Sequence, residues 1–134
     1  MKHLKKFNES VDDIDVDDIV DLFQETADKY FIQKKVLKPG DDIINIYHGH
    51  CYIIGIYGSQ VIIDIKFIQD KPGEGLQYKF ETDLNIFMDK IRAFGYTVQY
   101  KKFPKGAHRY FSCFGSFIFT GISKEWPYEI RISN

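Results

Sequence analysis

Apolar side chains recur every three or four residues in two stretches of this chain, and that spacing places them on one face of an α-helix. The first stretch predicts a helix over about residues 15–30, whose first turn carries the acidic residues that favour a helix N-terminus. The apolar face of this helix consists of Val16, Ile19, Val20, Phe23, Ala27 and Tyr30. The apolar face of the second helix consists of Leu84, Phe87, Met88, Ile91 and Phe94. We expect Thr82 to cap the start of the second helix and Gly95 to end it, because glycine adopts the left-handed conformation that commonly follows a helix.

The remaining apolar segments are short and rich in β-branched and aromatic residues, which is typical of strands. The predicted strands are Ile43–Tyr47, Cys51–Tyr57, Gln60–Ile68, Tyr96–Phe103, Tyr110–Thr120 and Tyr128–Ile132. Gly58–Ser59 predicts a tight hairpin turn between the second and third of them. Together these elements predict an α+β fold, in which two helices pack on a mainly antiparallel sheet of about six strands within a single domain over residues 11–134.

The two halves of this domain, residues 11–69 and 76–134, resemble each other. Cys51–Tyr57 and Cys113–Phe119 share one pattern, in which cysteine and an aromatic residue are followed, after three intervening residues, by isoleucine and an aromatic residue. A triplet of an acid, isoleucine and a base then occurs in each half. One interpretation is an internal duplication of a helix-then-strands unit. The alternative is that aromatic, β-branched strands match each other by chance, and the pattern leaves both open.

Charge is unevenly distributed along the 134 residues, although the formal net charge is only −1. Residues 11–28 contain eight acidic residues and no basic one, whereas residues 90–124 contain seven basic residues and no acidic one. A net charge so close to zero gives no general attraction to nucleic acid or to a membrane surface. No apolar run is long enough to span a bilayer, and two cysteines make no disulfide framework. These features predict a cytoplasmic protein.

The strongest binding signal is a basic turn between two predicted strands, interleaved with aromatic residues. Its candidate nucleic-acid-binding residues are Lys101, Lys102, Lys105, His108 and Arg109. Cations that contact phosphates, next to aromatic rings that stack on bases, are typical of proteins that bind single-stranded nucleic acid. The alternative is a solvated hairpin turn whose lysines keep edge strands from pairing with other chains.

His48 and His50 form the most metal-like pair in the chain. In an extended strand the two imidazoles point to the same face and could bind one ion, with His108 or an acid as a third ligand. The alternative is an exposed turn around Gly49 with two solvated histidines. The two cysteines are interpreted as small buried strand residues, because no motif positions a base beside either of them.

The first ten residues, Met1–Ser10, are basic and carry Leu4 and Phe7 on one helical face ahead of Glu9 and Ser10. This segment resembles the capsid-targeting leader of internal head proteins of tailed phages, with Phe7 where that family usually has isoleucine or leucine. The resemblance implies that the leader docks the protein on the scaffold core and that the maturation protease cuts between Glu9 and Ser10. The rest of the chain looks like small phage proteins in which an Asp- and Ile-rich helix follows such a leader.

No glycine-rich phosphate loop, nucleophile elbow or paired-acid motif is present, so the sequence predicts no catalytic residue and no cofactor. The function we favour at this point is a non-enzymatic accessory protein of a tailed phage, which binds a protein partner in the host cell and is packaged in the head. One alternative is a small nucleic-acid-binding module that uses residues 101–109. The other is a metal-dependent enzyme that uses His48 and His50.

Overall fold

The computed structural model describes residues 15–35, 50–67, 75–103, 107–111, 119–123 and 127–134, and for Tyr57 and residues 107–111 and 119–123 it describes the backbone alone. These ranges contain two helices and seven strands. The helices are α1 (Val16–Lys29) and α2 (Leu76–Ala93). The strands are β1 (Gln33–Lys35), β2 (Cys51–Tyr57), β3 (Gln60–Lys66), β4 (Thr97–Lys102), β5 (Ala107–Phe111), β6 (Phe119–Ser123) and β7 (Tyr128–Ser133).

Helix α1 confirms the first helix prediction at both ends. It begins after Asp15, whose side chain accepts a hydrogen bond from the backbone N–H of Asp18 at 3.3 Å. This contact satisfies one of the amides that a helix leaves free at its start. The face turned to the sheet buries Ile19, Phe23 and Ala27 completely, as their spacing predicts.

Helix α2 begins six residues before the predicted cap, so the prediction that Thr82 starts this helix was wrong. Thr82 lies inside the helix, and its hydroxyl donates to the carbonyl oxygen of Tyr78 at 2.9 Å. The helix begins instead after Gly75, which caps it without a side-chain hydrogen bond and has a left-handed φ of 69°. Buried Phe80 extends the apolar face backwards by one turn from Leu84. At the other end the prediction is confirmed, since the helix is followed by Gly95 with a φ of 96°.

The α+β prediction is confirmed, with a five-stranded, mixed and mostly antiparallel sheet in the order β1-β2-β3-β7-β4. Strand β1 runs parallel to β2, and the other neighbours in this sheet are antiparallel. The predicted hairpin turn at Gly58–Ser59 joins β2 to β3, and Gly58 has the positive φ of 61° that such turns require. Strand β1 had no counterpart among the predicted strands, and predicted strand Ile43–Tyr47 lies outside the described residues.

Strands β5 and β6 form a separate two-stranded antiparallel sheet. The prediction of one continuous strand over Tyr110–Thr120 was therefore wrong. Phe111 pairs with Phe119 in antiparallel fashion, so the chain reverses direction between these two residues. The local signal for this reversal is Gly115–Ser116, the same dipeptide that predicts the turn at Gly58–Ser59.

The two helices cover the same face of the five-stranded sheet. Alternate residues of β3 and β7 point to them, and these are Val61, Ile63, Ile65, Tyr128, Ile130 and Ile132. Aromatic rings dominate the contact between the layers: Phe23 meets Tyr52 edge-on at 4.7 Å between ring centroids, and Phe67 stacks on Phe80 at 4.3 Å. Such pairs add to the free energy gained by burying the rings from water.

The duplication remains a prediction. The two acids that it matches, Asp64 and Glu129, lie directly opposite each other where β3 pairs with β7 at the centre of the sheet. The proposed counterpart of β2, residues 113–119, falls almost entirely outside the described residues. The pairing of β3 with β7 is what a twofold-related pair of units would produce, and a chance match of two central strands would produce it as well.

Candidate binding site between the helices

A groove runs along the outer surface of the helix layer, where α1 and α2 pack against each other. The helices are antiparallel, because Lys29 at the end of α1 forms an ion pair with Asp83 near the start of α2, at 2.9 Å between Nζ and Oδ2. This ion pair divides the groove into two parts. The wider part has a volume of about 400 Å³ and is lined by Lys29, Tyr30, Leu76, Tyr78, Lys79, Thr82 and Asp83. The narrower part has a volume of about 140 Å³ and is lined by Leu22, Glu25, Thr26, Lys29, Asp83, Ile86, Phe87 and Lys90.

Asp83 is the polar centre of this groove. Its Oδ2 atom accepts a hydrogen bond from the Tyr30 hydroxyl at 2.5 Å as well as the ion pair from Lys29. These two contacts hold the pKa of Asp83 below its ordinary value of 3.8. Burial and the neighbouring carboxylate raise the pKa of Tyr30, so its hydroxyl stays protonated and acts as a donor. The cluster joins the two helices between the two parts of the groove.

A second cluster of the same composition joins the other side of α2 to the sheet. Glu81 Oε2 accepts a hydrogen bond from the Tyr128 hydroxyl at 2.8 Å and forms an ion pair with Lys102 Nζ at 2.8 Å. The side-chain amide of Gln77 donates to the same tyrosine hydroxyl at 2.9 Å. Burial raises the pKa of Tyr128. Each of the two carboxylates near the start of α2 thus takes one tyrosine hydroxyl and one lysine, on opposite sides of the helix.

Phe31 lies at one end of the helix pair, directly after α1, and its side chain is 87% exposed. Its backbone is left-handed, with a φ of 56°, at the position where helices usually have glycine. The N–H of Ile32 donates to the carbonyl oxygen of Ala27 at 2.9 Å, which closes the helix in a Schellman motif. Tyr78, in the wider part of the groove, is 77% exposed. Two large aromatic side chains are therefore presented to solvent near the same end of the helix layer.

The opposite face of the sheet carries charges within a buried surface. Asp64, Lys66 and Glu129 are all less than 7% exposed. Glu129 Oε1 accepts a hydrogen bond from Arg131 Nε at 2.7 Å, and this contact raises the pKa of Arg131 further above its ordinary value. Sequence patterns had matched Asp64 with Glu129 only as corresponding acids of the two halves. Its place beside Glu129 depends on the register between β3 and β7, which joins residues far apart in the chain.

The basic turn is described in part. Lys101 is exposed, with its Nζ atom 5.8 Å from the centre of the Phe103 ring, and Lys102 is bound to Glu81. Lys105 lies outside the described residues, and only the backbone of His108 and Arg109 is described, in β5. Of the two lysines whose contacts are known, one is therefore partly neutralised by α2. The set as a nucleic-acid-binding site stays a prediction.

The other predicted site residues are also only partly described. His50 precedes β2 with its ring 4.7 Å from that of Phe67, whereas His48 lies outside the described residues, as do Glu9 and Ser10. Within the described ranges, no three or more His, Cys, Asp or Glu side chains come together in a way that could hold a metal ion. Cys51 is buried in β2, as expected for a small strand residue.

Sequence patterns did not single out the groove residues. The signal that could have found Phe31 is a large apolar residue where a helix end calls for glycine or asparagine. The signal for Ile86 is an isoleucine off the apolar face of α2, where it is 49% exposed. Asp83 gives no local signal, because its partners on α1 are more than fifty residues away in the chain.

Comparison with protein-family models, with curated proteins and with solved structures finds no match to this chain. Neither helix in the described ranges combines the length and the apolar character that crossing a membrane requires. What this protein does must therefore be inferred from its own surface and from the resemblance of its first ten residues.

Proposed function

We propose that this chain is a non-enzymatic accessory protein of a tailed phage, which acts by binding a protein partner and is packaged in the phage head. Two features support the proposal. The segment Met1–Ser10 resembles a capsid-targeting leader, which accounts for packaging. The exposed aromatic end of the helix layer supplies a surface for the partner.

The single observation that carries the binding proposal is Phe31. A left-handed backbone at a residue with a side chain costs about 1–2 kcal/mol. The phenyl ring is 87% exposed and makes no ring contact with any other described residue, so the free protein regains almost nothing by burying it. A large aromatic side chain that costs the free protein stability is typical of an anchor residue, which a partner buries in a pocket.

The surroundings of Phe31 indicate the kind of partner. Tyr30, its neighbour in the chain, lines the wide part of the groove together with Leu76 and Tyr78. Leu76 is 36% exposed. Aromatic and aliphatic side chains around a shallow groove favour a protein with an apolar pocket or ridge over a small polar ligand.

Packaging is tested in the phage that encodes this chain. Quantitative mass spectrometry of purified particles should detect the protein, with an N-terminus at Ser10 if the leader is cleaved. A chain that lacks residues 1–10 should be made in the infected cell and be missing from the particles. A full-length chain that is absent from purified particles would refute packaging, whatever the state of its N-terminus.

Binding is tested separately with Phe31→Gly, because glycine suits the left-handed backbone and removes only the anchor. Chemical crosslinking in infected cells should join the wild-type protein to a partner, and this product should disappear in the variant. Tyr100→Ala is a suitable control, since it removes a half-exposed aromatic ring from the far edge of the sheet. A crosslinked product that is as abundant in Phe31→Gly as in the wild type would refute the role of this end of the helix layer.

A further inference from the structure

The outer surface of the helix layer carries unpaired charges of opposite sign on its two helices. On α1, three exposed acids, Asp17, Asp21 and Glu25, form no ion pair with any described residue. Asp28 continues this acidic row, and among the described residues its hydrogen-bond donor is Gln24, which is uncharged. The row lies along the solvent-facing side of α1, because residues four apart on a helix are neighbours.

On helix α2 the acids are paired and the unpaired charges are basic. Each of its three acids is paired: Glu81 with Lys102, Asp83 with Lys29 and Asp89 with Arg92. The charges left over are those of Lys79 and Lys90, which are exposed and form no ion pair with any described residue. Both lysines border the groove between the helices. Of the unpaired acids on α1, Glu25 borders the narrower part of the groove, across from Lys90.

We propose that a second copy of this chain covers the narrower part of the groove, in a symmetric dimer whose twofold axis runs parallel to the helices. Such an axis places α1 of one copy opposite α2 of the other, and it does so twice. Because the helices are antiparallel and Glu25 and Lys90 border the same part of the groove, the rotation brings Glu25 of one copy level with Lys90 of the other. Glu25 of each copy then meets Lys90 of the other, once on each side of the axis.

The charges favour this occupant over others. A partner helix with a uniformly basic face would suit the acids of α1 but would repel Lys79 and Lys90. A uniformly acidic partner would suit the two lysines but would be repelled by the acids of α1. A second copy sets Glu25 against Lys90 twice, whereas a dimer that sets α1 against α1 brings like charges together. Ile86 supplies an apolar contact close to the axis, since it borders the groove and is 49% exposed.

Sedimentation equilibrium of the full-length chain tests the proposal. We expect a monomer–dimer equilibrium that weakens with added salt, because exposed charge pairs are screened. Lys90→Glu changes two symmetric contacts and should raise the dissociation constant about tenfold. Adding Glu25→Lys to the Lys90→Glu variant should return the dissociation constant to the wild-type value. Lys34→Glu, the same reversal on exposed strand β1, is the matched control and should have no effect.

Ile86→Asp should abolish the dimer, and its circular dichroism spectrum verifies that the monomer is folded. A chain that stays monomeric at the highest concentration reached would overturn the proposal. So would a dimer whose dissociation constant is unchanged by both Lys90→Glu and Ile86→Asp, or one that the paired reversal fails to restore.

Discussion

Helices α1 and α2 lie side by side on one face of the sheet, yet different contacts hold their ends. Helix α1 starts on a local side-chain cap from Asp15 and ends on the left-handed Phe31. Helix α2 starts on Gly75 without any side-chain cap and ends on the left-handed Gly95. The start of α2 has no side-chain cap. It is held instead by two tyrosines and two lysines, from distant parts of the chain, that bind its carboxylates.

This difference shows that distant contacts can hold the start of a helix that has no side-chain cap. Clusters such as Tyr128, Glu81 and Lys102 join α2 to strands that follow it in the chain. A cap such as Asp15 acts within three residues. Four predictions test how far each helix depends on its own kind of contact.

The apolar contacts of the two helices should matter equally and most. Phe23→Ala in α1 and Phe80→Ala in α2 each remove a fully buried ring and should lower the free energy of unfolding by about 3–5 kcal/mol. Asp21→Ala, on the exposed face of α1, should change it by no more than about 0.5 kcal/mol. Urea denaturation measures all three. Equal losses from Phe23→Ala and Asp21→Ala would mean that the buried face of α1 has been assigned to the wrong side.

The cluster at Tyr128 should be the next most important contact, and it should matter for α2 alone. Tyr128→Phe keeps the ring and removes the hydroxyl that joins Gln77 to Glu81, so we expect a loss of about 1–3 kcal/mol. Hydrogen exchange should show faster opening of the first two turns of α2 and unchanged protection of α1. If both helices lose protection to the same degree, the cluster stabilises the whole fold and does not specifically hold the start of α2.

Substitutions at the two ends of α1 should change the free energy of unfolding less, and in opposite directions. Asp15→Ala removes the cap of α1 and should cost about 1 kcal/mol. Phe31→Gly should stabilise the protein by about 1 kcal/mol, because glycine adopts the left-handed backbone without strain. Thermal unfolding compares the two, with Gly95→Ala as the converse variant that should destabilise the end of α2. A Phe31→Gly protein that melts well below the wild type would show that the phenyl ring contributes to the folded state.

The smallest effect should be the pH dependence contributed by Asp83. Its pKa is lower in the folded protein than its ordinary value, so its contribution to stability is present above that ordinary value of 3.8 and is lost as the pH falls through the lowered pKa. Lys29 is 64% exposed, and this exposure keeps the contribution small. Asp83→Asn should therefore flatten the stability curve below about pH 4. If Asp83→Asn loses stability at acid pH as steeply as the wild type does, other carboxylates account for that loss.

Several features of this protein follow from short stretches of sequence alone. The spacing of apolar residues and the acid at position 15 determine α1, and Gly58 between two β-branched stretches determines the β2–β3 hairpin. The separation of acids from bases along the chain is also visible without a structure. In each case the deciding pattern lies within one short stretch of the chain.

The candidate site could not be found in this way, and only the tertiary structure decided it. The groove exists because α1 and α2 lie side by side, and Asp83 and Glu81 gain their partners from residues 53 and 47 positions away in the chain. The same holds for Lys102, which the sequence assigned to a basic turn and the fold binds to α2. Position-by-position patterns record which residues prefer a helix or a strand. Which charges remain unpaired depends on packing, because a charge is neutralised by whatever the fold brings within a few ångströms of it.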